Sequence, residues 1–358
     1  MFCDRIAFEN MDMTELVGVQ LYGPQPENPV YSPQRYNIVS LWRRATLEDH
    51  DNIYLATRRD GSTCLLKVDT FSRNKSPIKE SLEFRTIRML QSKGGGEETI
   101  LKVIQFFEVE HISRQVAVFA GVMVTEKANL DFAHYARTWG KPLPLPVIRK
   151  YMSDMLRALA YCHEYGVIHG NVNPNAVFVR KSGFTKEKIS DEYDDFKLAG
   201  FERSHLVGDM KRNVTQNTRM QFRAPEMLLR LHNQYDPMLF GTAVDIWSLG
   251  CMLAGSLMHK DPFFDDEHAT PPVQLTFYLK LLGTPTRDEL RRGTLPSDFQ
   301  AYIITNYPSY ANVFDGFFSS TKYPSDAIDL LKRMLVIEPS HRVTAKDALT
   351  HPFFGEIY

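Results

Sequence analysis

The sequence lacks several features that mark common classes of protein. Its 358 residues include four cysteines, Cys3, Cys64, Cys162 and Cys251, and no two of them have the Cys-x-x-Cys spacing of a metal or redox motif. We therefore expect buried, reduced thiols and neither a disulfide framework nor a zinc site. The longest apolar run, residues 116–124, is far too short to cross a bilayer and is typical of a buried strand.

An excess of charge of either sign is also absent. There are 42 Lys and Arg residues against 43 Asp and Glu residues, which gives a net charge of -1. Because no basic stripe is present, we expect neither a nucleic-acid partner nor a membrane partner. Residues 1–12 carry acidic side chains and no apolar secretory core, so we expect no signal peptide and a cytoplasmic or nuclear location.

What the sequence does have is enough apolar material for a folded chain with two lobes. Hydrophobic residues make up 43% of it, and 358 residues exceed the usual size of a single core. Residues 1–35 contain four prolines and predict a loop-like N-terminal extension. We expect an α+β fold with a β-rich N-terminal lobe over residues 36–122, a mostly helical C-terminal lobe over residues 123–354 and a tail over residues 355–358.

Local patterns predict elements within both lobes. Asp60-Gly61 separates two short stretches of β-forming residues and predicts a hairpin. Residues 76–96 predict a helix that ends at three glycines. Residues 144–166 carry apolar side chains at the 3.6-residue period of a helix, and the polar stretch 181–195 predicts a solvated insertion.

Six motifs occur in the order that is typical of eukaryotic protein kinases, and the chain resembles that family over residues 36–354. The motifs are LLKV around Lys67, VIHGNVNPNAVFV at 167–179, FKLAGFE at 196–202, FRAPE at 222–226, DIWSLG at 245–250 and HRVTAKDALTHPFF at 341–354. LKLLGTPT at 279–286 and TRMQFRAPE at 218–226 resemble the CMGC branch of cyclin-dependent, MAP and casein kinases. The resemblance implies a bilobal protein kinase-like fold.

The resemblance also implies that the groups for phosphoryl transfer are replaced. Asn171 stands where the family has the aspartate that takes the proton of the substrate hydroxyl, and an amide cannot act as a base. Asn173 replaces a phosphate-contacting lysine. Ala176 and Gly200 replace the two side chains that bind magnesium, the second of them in the Asp-Phe-Gly motif. We therefore expect no active catalytic residue and no metal site.

The nucleotide-binding positions depart from the family pattern as well. Residues 46–51, which correspond to the glycine-rich loop, contain three acidic residues and no glycine. Leu65 and Phe178 are bulkier than the residues that usually line the adenine pocket. We therefore expect no cofactor, with ATP and magnesium binding weak or absent.

Lys67 is retained and has two interpretations. It is a vestigial phosphate contact in the cofactor site, or it is a strand lysine that pairs with Glu83. Spacing back from Leu90 places the family's usual helical partner at Thr86, and Glu83 lies one turn earlier.

Further positions match residues that are structural in the family. His169, Phe201, Leu90 and Val103 match a hydrophobic column that joins the two lobes. The remaining matches are the buried ion pair of Glu226 with Arg342, and Asp245, which binds the backbone of the catalytic loop.

Gly170 replaces an arginine that, in the family, binds a phosphorylated activation loop.

Together the replaced and the retained positions predict a catalytically inactive pseudokinase, which is a scaffold or allosteric regulator. Its protein partners are an active kinase or the substrates of that kinase. Two alternatives stay open. One is a divergent serine/threonine kinase with residual activity through a displaced Glu202 or Asp195, and the other is an ATP-binding sensor without turnover.

Overall fold

A computed structural model describes two compact units of the chain. The first comprises residues 1–97 and 101–130, and the second comprises residues 98–100 and 131–358. Within them the described residues are 20–23, 34–43, 52–70, 81–113, 116–139, 142–180, 194–208, 219–229, 241–259, 270–318 and 322–355. The first unit is rich in strands and the second is mostly helical, which confirms the α+β prediction.

An antiparallel sheet of six strands dominates the described part of the first unit, with the strand order β1-β2-β3-β4-β6-β5. The strands are β1 Gln20–Gly23, β2 Gln34–Arg43, β3 Asn52–Arg58, β4 Thr63–Thr70, β5 Val103–Ser113 and β6 Val116–Glu126. The prediction of a loop over residues 1–35 is wrong for β1, which pairs with the start of β2. β1 contains no proline, so every backbone N–H in it is available to the sheet.

The turn between β3 and β4 forms at Asp60-Gly61, where the sequence predicted a hairpin. Gly61 has φ +81°, in the left-handed region that glycine enters without steric cost. Ser62 donates from both its backbone N–H and its hydroxyl to Asp60 Oδ1, at 2.8 and 2.6 Å. The predicted apolar strand at 116–124 is also confirmed, as part of β6.

One helix of the described residues, α1 Leu82–Ser92, belongs to the first unit. It begins at Ser81, whose hydroxyl accepts from the N–H of Phe84 at 3.1 Å. It ends just before Gly94, at φ +72°. Residues 76–80, the start of the helix predicted from the sequence, lie outside the described residues.

The second unit contains short strands and a set of helices. The described elements are β7 Leu130–Asp131, of which the second residue belongs to this unit, α2 Phe132–Trp139, α3 Leu145–Glu164, β8 Val167–Ile168, β9 Val177–Arg180, β10 Asp195–Leu198, β11 His205–Leu206, α4 Pro225–Leu229, α5 Ala243–Met258, α6 Pro271–Leu282, α7 Arg287–Arg291, α8 Ser297–Asn306, α9 Phe314–Phe317, α10 Ser325–Met334 and α11 Ala345–Ala348. Short 3-10 turns lie at Pro174–Ala176 and Phe201–Arg203. β9 pairs with β10, and β8 pairs with β11.

Helices α3 and α5 form the centre of the second unit. The predicted apolar face of α3 is fully buried, since Met152, Met155, Leu156 and Leu159 are all 0% exposed. Helix α5 is buried all round over residues 244–254, because its side chains are almost entirely apolar. These two helices fix the frame on which the loop between β8 and β9 lies.

Three of the four cysteines lie within the described residues. Cys64, Cys162 and Cys251 are free, buried thiols, and burial raises the pKa of each. Cys3 lies outside the described residues. Within the described ranges, none of the helices combines the length and the apolar character needed to cross a bilayer.

Candidate active site

The loop between β8 and β9 is tied to helix α5 through one carboxylate. Asp245 accepts hydrogen bonds from the backbone N–H groups of His169 and Gly170, at 2.9 and 2.8 Å. Nε2 of His163 lies 2.9 Å from the same carboxylate. Burial alone would raise the pKa of Asp245, but these hydrogen bonds outweigh it and hold the pKa below its ordinary value.

His169 is a packed side chain of this loop. It is 0% exposed, and its ring meets that of Phe201 edge-on at 4.7 Å. Nε2 lies 2.8 Å from the carbonyl oxygen of Ala199, and Nδ1 accepts from the N–H of Asn171 at 3.3 Å. Since both ring nitrogens are engaged with the backbone, His169 holds the loop in place.

The two asparagines that replace reactive residues form a chain of amide hydrogen bonds. Nδ2 of Asn173 donates to the backbone oxygen of Asn171 at 2.8 Å and to its Oδ1 at 3.2 Å. Oδ1 of Asn173 accepts from the N–H of Asn175 at 2.9 Å. Asn171 and Asn173 are 7% and 2% exposed, so these bonds satisfy buried polar groups and shape the loop.

A carboxylate lies beside the positions where the sequence lacks metal ligands. Glu202 Oε1 accepts from Nδ2 of Asn171 at 3.4 Å. A methyl group at Gly200 would lie 3.3 Å from the Cβ of Ala176 and 3.7 Å from Oε2 of Glu202. The 3-10 turn at Phe201–Arg203 follows Gly200, whose φ is +78°. The structure therefore brings Glu202 together with Asn171, Ala176 and Gly200.

Asp195, the other carboxylate that the sequence offered, is placed elsewhere. It begins β10, three residues before the end of that strand, and its Oδ2 lies 2.7 Å from Nη2 of Arg180. Both side chains of this pair are largely exposed, at 41% and 51%. Asp195 is thus one half of a surface ion pair at the far end of the β9–β10 hairpin from Gly200.

In the first unit, Lys67 of β4 pairs with Glu83 of α1. The Lys67 Nζ lies 2.5 Å from Glu83 Oε2, and the two side chains are 12% and 5% exposed. Glu83 is therefore a helical partner of Lys67, as one of the two interpretations predicted. Leu90 and Val103 lie in the same unit and are both buried, at 1% and 3% exposure.

The second unit contains a buried ion pair between Glu226 and Arg342. Two parallel hydrogen bonds join them, Nη1 to Oε1 at 2.6 Å and Nη2 to Oε2 at 2.7 Å. Arg342 also donates to the carbonyl oxygens of Val336 and Ile337, and its guanidinium stacks 5.0 Å from the Trp247 ring. This pair therefore joins α4 to the segment that follows α10.

The site has few described side chains that could bind a metal ion. Among the described residues, no three His, Cys, Asp or Glu side chains cluster as the ligands of a metal ion would. Residues 46–51, the counterpart of the glycine-rich loop, lie outside the described residues. Beside the vacated positions, the described residues thus offer the carboxylate of Glu202 and the amides of Asn171 and Asn173.

The chain is similar to known protein kinases. The protein kinase domain family matches residues 52–354. The chain is also 29% identical over 294 residues to the mitogen-activated protein kinase HOG1 of Eremothecium gossypii. The match covers 80% of this chain and 59% of that relative, so the chain spans well under two thirds of the relative's length. MAP kinases belong to the branch that the sequence motifs resemble.

These matches correct three predictions made from the sequence. The prediction of an inactive scaffold is wrong, because the similarity extends over 80% of the chain to a protein named as a kinase. The predictions that the chain is not an enzyme and uses no cofactor are wrong for the same reason, since protein kinases act on ATP with Mg²⁺. With residues 52–354 matched, the chain belongs to the protein kinase domain family.

Proposed function

We propose that the chain is a divergent serine/threonine protein kinase that transfers the γ-phosphoryl group of ATP to hydroxyl groups of protein substrates. The observation that carries this proposal is the ion pair of Lys67 with Glu83 at 2.5 Å. In protein kinases a strand lysine must be paired with a helix glutamate for activity, because the pair positions the lysine for phosphate. The similarity to a MAP kinase supports the same reaction.

The surroundings of Lys67 suit this role. Only 12% of the Lys67 side chain is exposed, and a buried ammonium group needs a counter-charge in place of water. Glu83 supplies that charge from the first turn of α1, where the helix dipole also favours a carboxylate. The pair with Glu83 thus orients the ammonium group and takes one of its three N–H donors.

The replacement of the catalytic base lowers the expected rate without removing the reaction. Phosphoryl transfer passes through a loose transition state, so positioning and charge neutralisation supply most of the catalysis. The amide oxygen of Asn171 can accept a hydrogen bond from a substrate hydroxyl but cannot take the proton, so the proton passes to the transferred phosphoryl group as the bond to ADP breaks. General base catalysis typically contributes about 10²–10⁴-fold. We therefore expect turnover slower than that of a kinase with an aspartate by a factor in this range.

The donor set fits a magnesium nucleotide. Mg²⁺ prefers oxygen ligands, and in nucleotide sites it is held by one or two carboxylates together with phosphate oxygens. Glu202 supplies a carboxylate and Asn171 an amide in the same part of the second unit. When bound, the ion neutralises charge on the phosphoryl oxygens. The carboxylate and the amide therefore suit a Mg²⁺ ion that phosphate oxygens also hold.

The test is transfer of labelled phosphate from ATP and Mg²⁺ to a generic protein substrate. We expect Lys67→Ala and Glu83→Gln each to lower incorporation at least tenfold, a change of about 1.4 kcal/mol in the barrier. Lys346→Ala, an exposed lysine of α11, should transfer as the parent does. Equal incorporation by the parent and Lys67→Ala would overturn the proposal. ATP-dependent stabilisation without transfer would also overturn it and favour a nucleotide sensor.

The protein partners that this function calls for are substrates and regulators of the kinase. A cytoplasmic or nuclear location suits such partners and stays a prediction from the sequence. Imaging of a tagged full chain in cells would test it, and accumulation in a membrane-bound organelle would contradict it.

A further inference from the structure

The carboxylate of Glu202 lies two residues along the chain from the position where the family has its metal-binding aspartate. Gly200 occupies that position, and a side chain there would begin 3.7 Å from Glu202 Oε2. The same side chain would begin 3.3 Å from the Cβ of Ala176, at the position of the second lost ligand. The structure therefore places one carboxylate next to both vacated ligand positions.

The side-chain amide of Asn171 can donate a hydrogen bond to the Glu202 carboxylate, which an aspartate at residue 171 could not. Nδ2 of Asn171 donates to Glu202 Oε1 at 3.4 Å. An aspartate at residue 171 would set two carboxylates at that separation, and like charges so close destabilise each other. Asn173 in turn donates to Oδ1 of Asn171, which orients the Nδ2 group toward Glu202. The replacement that removes a base thus provides a hydrogen-bond donor for Glu202.

The absence of a side chain at Gly200 also suits the position of the Glu202 carboxylate. Its φ of +78° lies in the region that side chains with a Cβ rarely adopt. A carboxylate at this position would extend from a Cβ that already lies 3.7 Å from Glu202 Oε2. The absence of a side chain therefore leaves room for Glu202 and avoids a second negative charge beside it.

We infer that Glu202 is the carboxylate through which this chain binds the divalent cation of its nucleotide, and that Asn171 is its positioning residue. The inference rests on the proposed kinase function. One protein carboxylate is enough, because phosphate oxygens and water complete the coordination of Mg²⁺ in nucleotide sites. Asp195 does not share this role, since it is paired with Arg180 on the surface.

The test measures the affinity for a non-hydrolysable ATP analogue, AMP-PNP, with Mn²⁺ and with EDTA. In the parent we expect Mn²⁺ to strengthen binding. In Glu202→Gln the ratio of the two dissociation constants should fall at least tenfold. Binding in EDTA should stay the same or become tighter, because the carboxylate repels the phosphates when no cation lies between them. A residue with a merely structural role would weaken binding under both conditions.

The controls separate charge from folding. Glu164→Gln makes the same chemical change at an exposed residue at the end of α3 and should keep the parental ratio. If Glu202→Gln fails to fold, Glu202→Asp serves instead, and it should retain part of the Mn²⁺ effect. Asn171→Ala should lower the ratio by less than Glu202→Gln, because the carboxylate remains.

Failure of this inference can be told apart from failure of the proposed function. A parental Mn²⁺ ratio in folded Glu202→Gln, with phosphate transfer by the parent, would overturn the role of Glu202 and leave the kinase in place. A lost ratio in Glu202→Gln, with no transfer by the parent under any condition, would support the metal site and overturn the kinase.

Discussion

Arg342 and Glu226 form a bidentate ion pair, in which Nη1 lies 2.6 Å from Oε1 and Nη2 lies 2.7 Å from Oε2. Their side chains are 0% and 1% exposed. Breaking a buried pair by removing one partner leaves an uncompensated charge and typically costs about 3–5 kcal/mol. We therefore expect Arg342→Ala to lower the free energy of unfolding by an amount in this range, as measured by urea denaturation.

The matched control for this variant is Arg333→Ala. Arg333 pairs with Asp329 at 2.9 Å, but the two side chains are 58% and 51% exposed. Exposed pairs contribute about 0–1 kcal/mol, because water and salt screen them. Similar losses in the two arginine variants would contradict the buried character of the pair with Glu226.

A second prediction concerns Asp245 and pH. This buried carboxylate accepts from two backbone N–H groups and faces His163, so Asp245→Asn should cost about 1.5–3 kcal/mol per charge-assisted hydrogen bond lost at pH 7. Because its folded pKa is lowered, its contribution is present above the unfolded pKa of about 3.9. That contribution falls as the pH drops through the lower, folded pKa.

Denaturation of the parent and of Asp245→Asn at a series of pH values checks this sign. The difference in stability between them should shrink as the pH falls below about 4. A difference that grew over this range would mean that folding raises the pKa of the Asp245 carboxyl group.

A third prediction tests close packing at Gly293. A methyl group there would lie 2.0 Å from Glu338 Cδ, within a carboxylate that accepts from Thr294 N at 2.7 Å and from Ser340 Oγ at 2.9 Å. Gly293→Ala must displace that carboxylate, and overpacking of this kind costs about 1–3 kcal/mol.

Gly316→Ala is the control for Gly293→Ala. Gly316 lies in α9, and a methyl group there meets no atom within 4 Å. The alanine should therefore be neutral or should stabilise the chain by about 0.4–1 kcal/mol through the unfolded state. Thermal melting of both variants gives the comparison, and a neutral Gly293→Ala would show that Glu338 is not held in place.

A fourth prediction separates backbone strain from crowding at the candidate site. Gly61 and Gly200 have φ values of +81° and +78°, so alanine at either position should cost about 1–2 kcal/mol. At Gly61 a methyl group meets nothing within 4 Å, whereas at Gly200 it meets Ala176 Cβ at 3.3 Å. Gly200→Ala should therefore be the more destabilising variant in urea denaturation. Equal losses of unfolding free energy in the two variants would mean that the β9–β10 hairpin moves to accommodate the methyl group without further cost.

Much of the fold could be predicted because it follows from local chemistry. The period of apolar residues gave α3, and the turn at Asp60 and Gly61 follows from the left-handed backbone that glycine allows. The strand β1 was missed because its four residues lie beside prolines, and pairing with β2 decides their conformation. Here the tertiary partner outweighs the local pattern.

The site was harder to predict because it depends on where side chains reach. Counting from Leu90 gave Thr86 as the family's usual partner, whereas the pair of Lys67 with Glu83, the second interpretation of this lysine, is the one that the structure contains. Glu202 was one of the two displaced carboxylates that the sequence left open, and the 3-10 turn after Gly200 brings its Oε1 within 3.4 Å of Asn171 Nδ2. The replaced positions, considered one at a time, therefore predicted an inactive protein, whereas the structure places a carboxylate two residues after Gly200 and beside Asn171.

The attachment of the loop to helix α5 has a consequence for hydrogen exchange. The amide hydrogens of His169 and Gly170 are held by Asp245, which lies within the stretch of α5 that is buried all round. Such amides exchange with solvent only when the surrounding core opens. These two amides should therefore exchange as slowly as those in the middle of α5, although they belong to a loop and not to a helix.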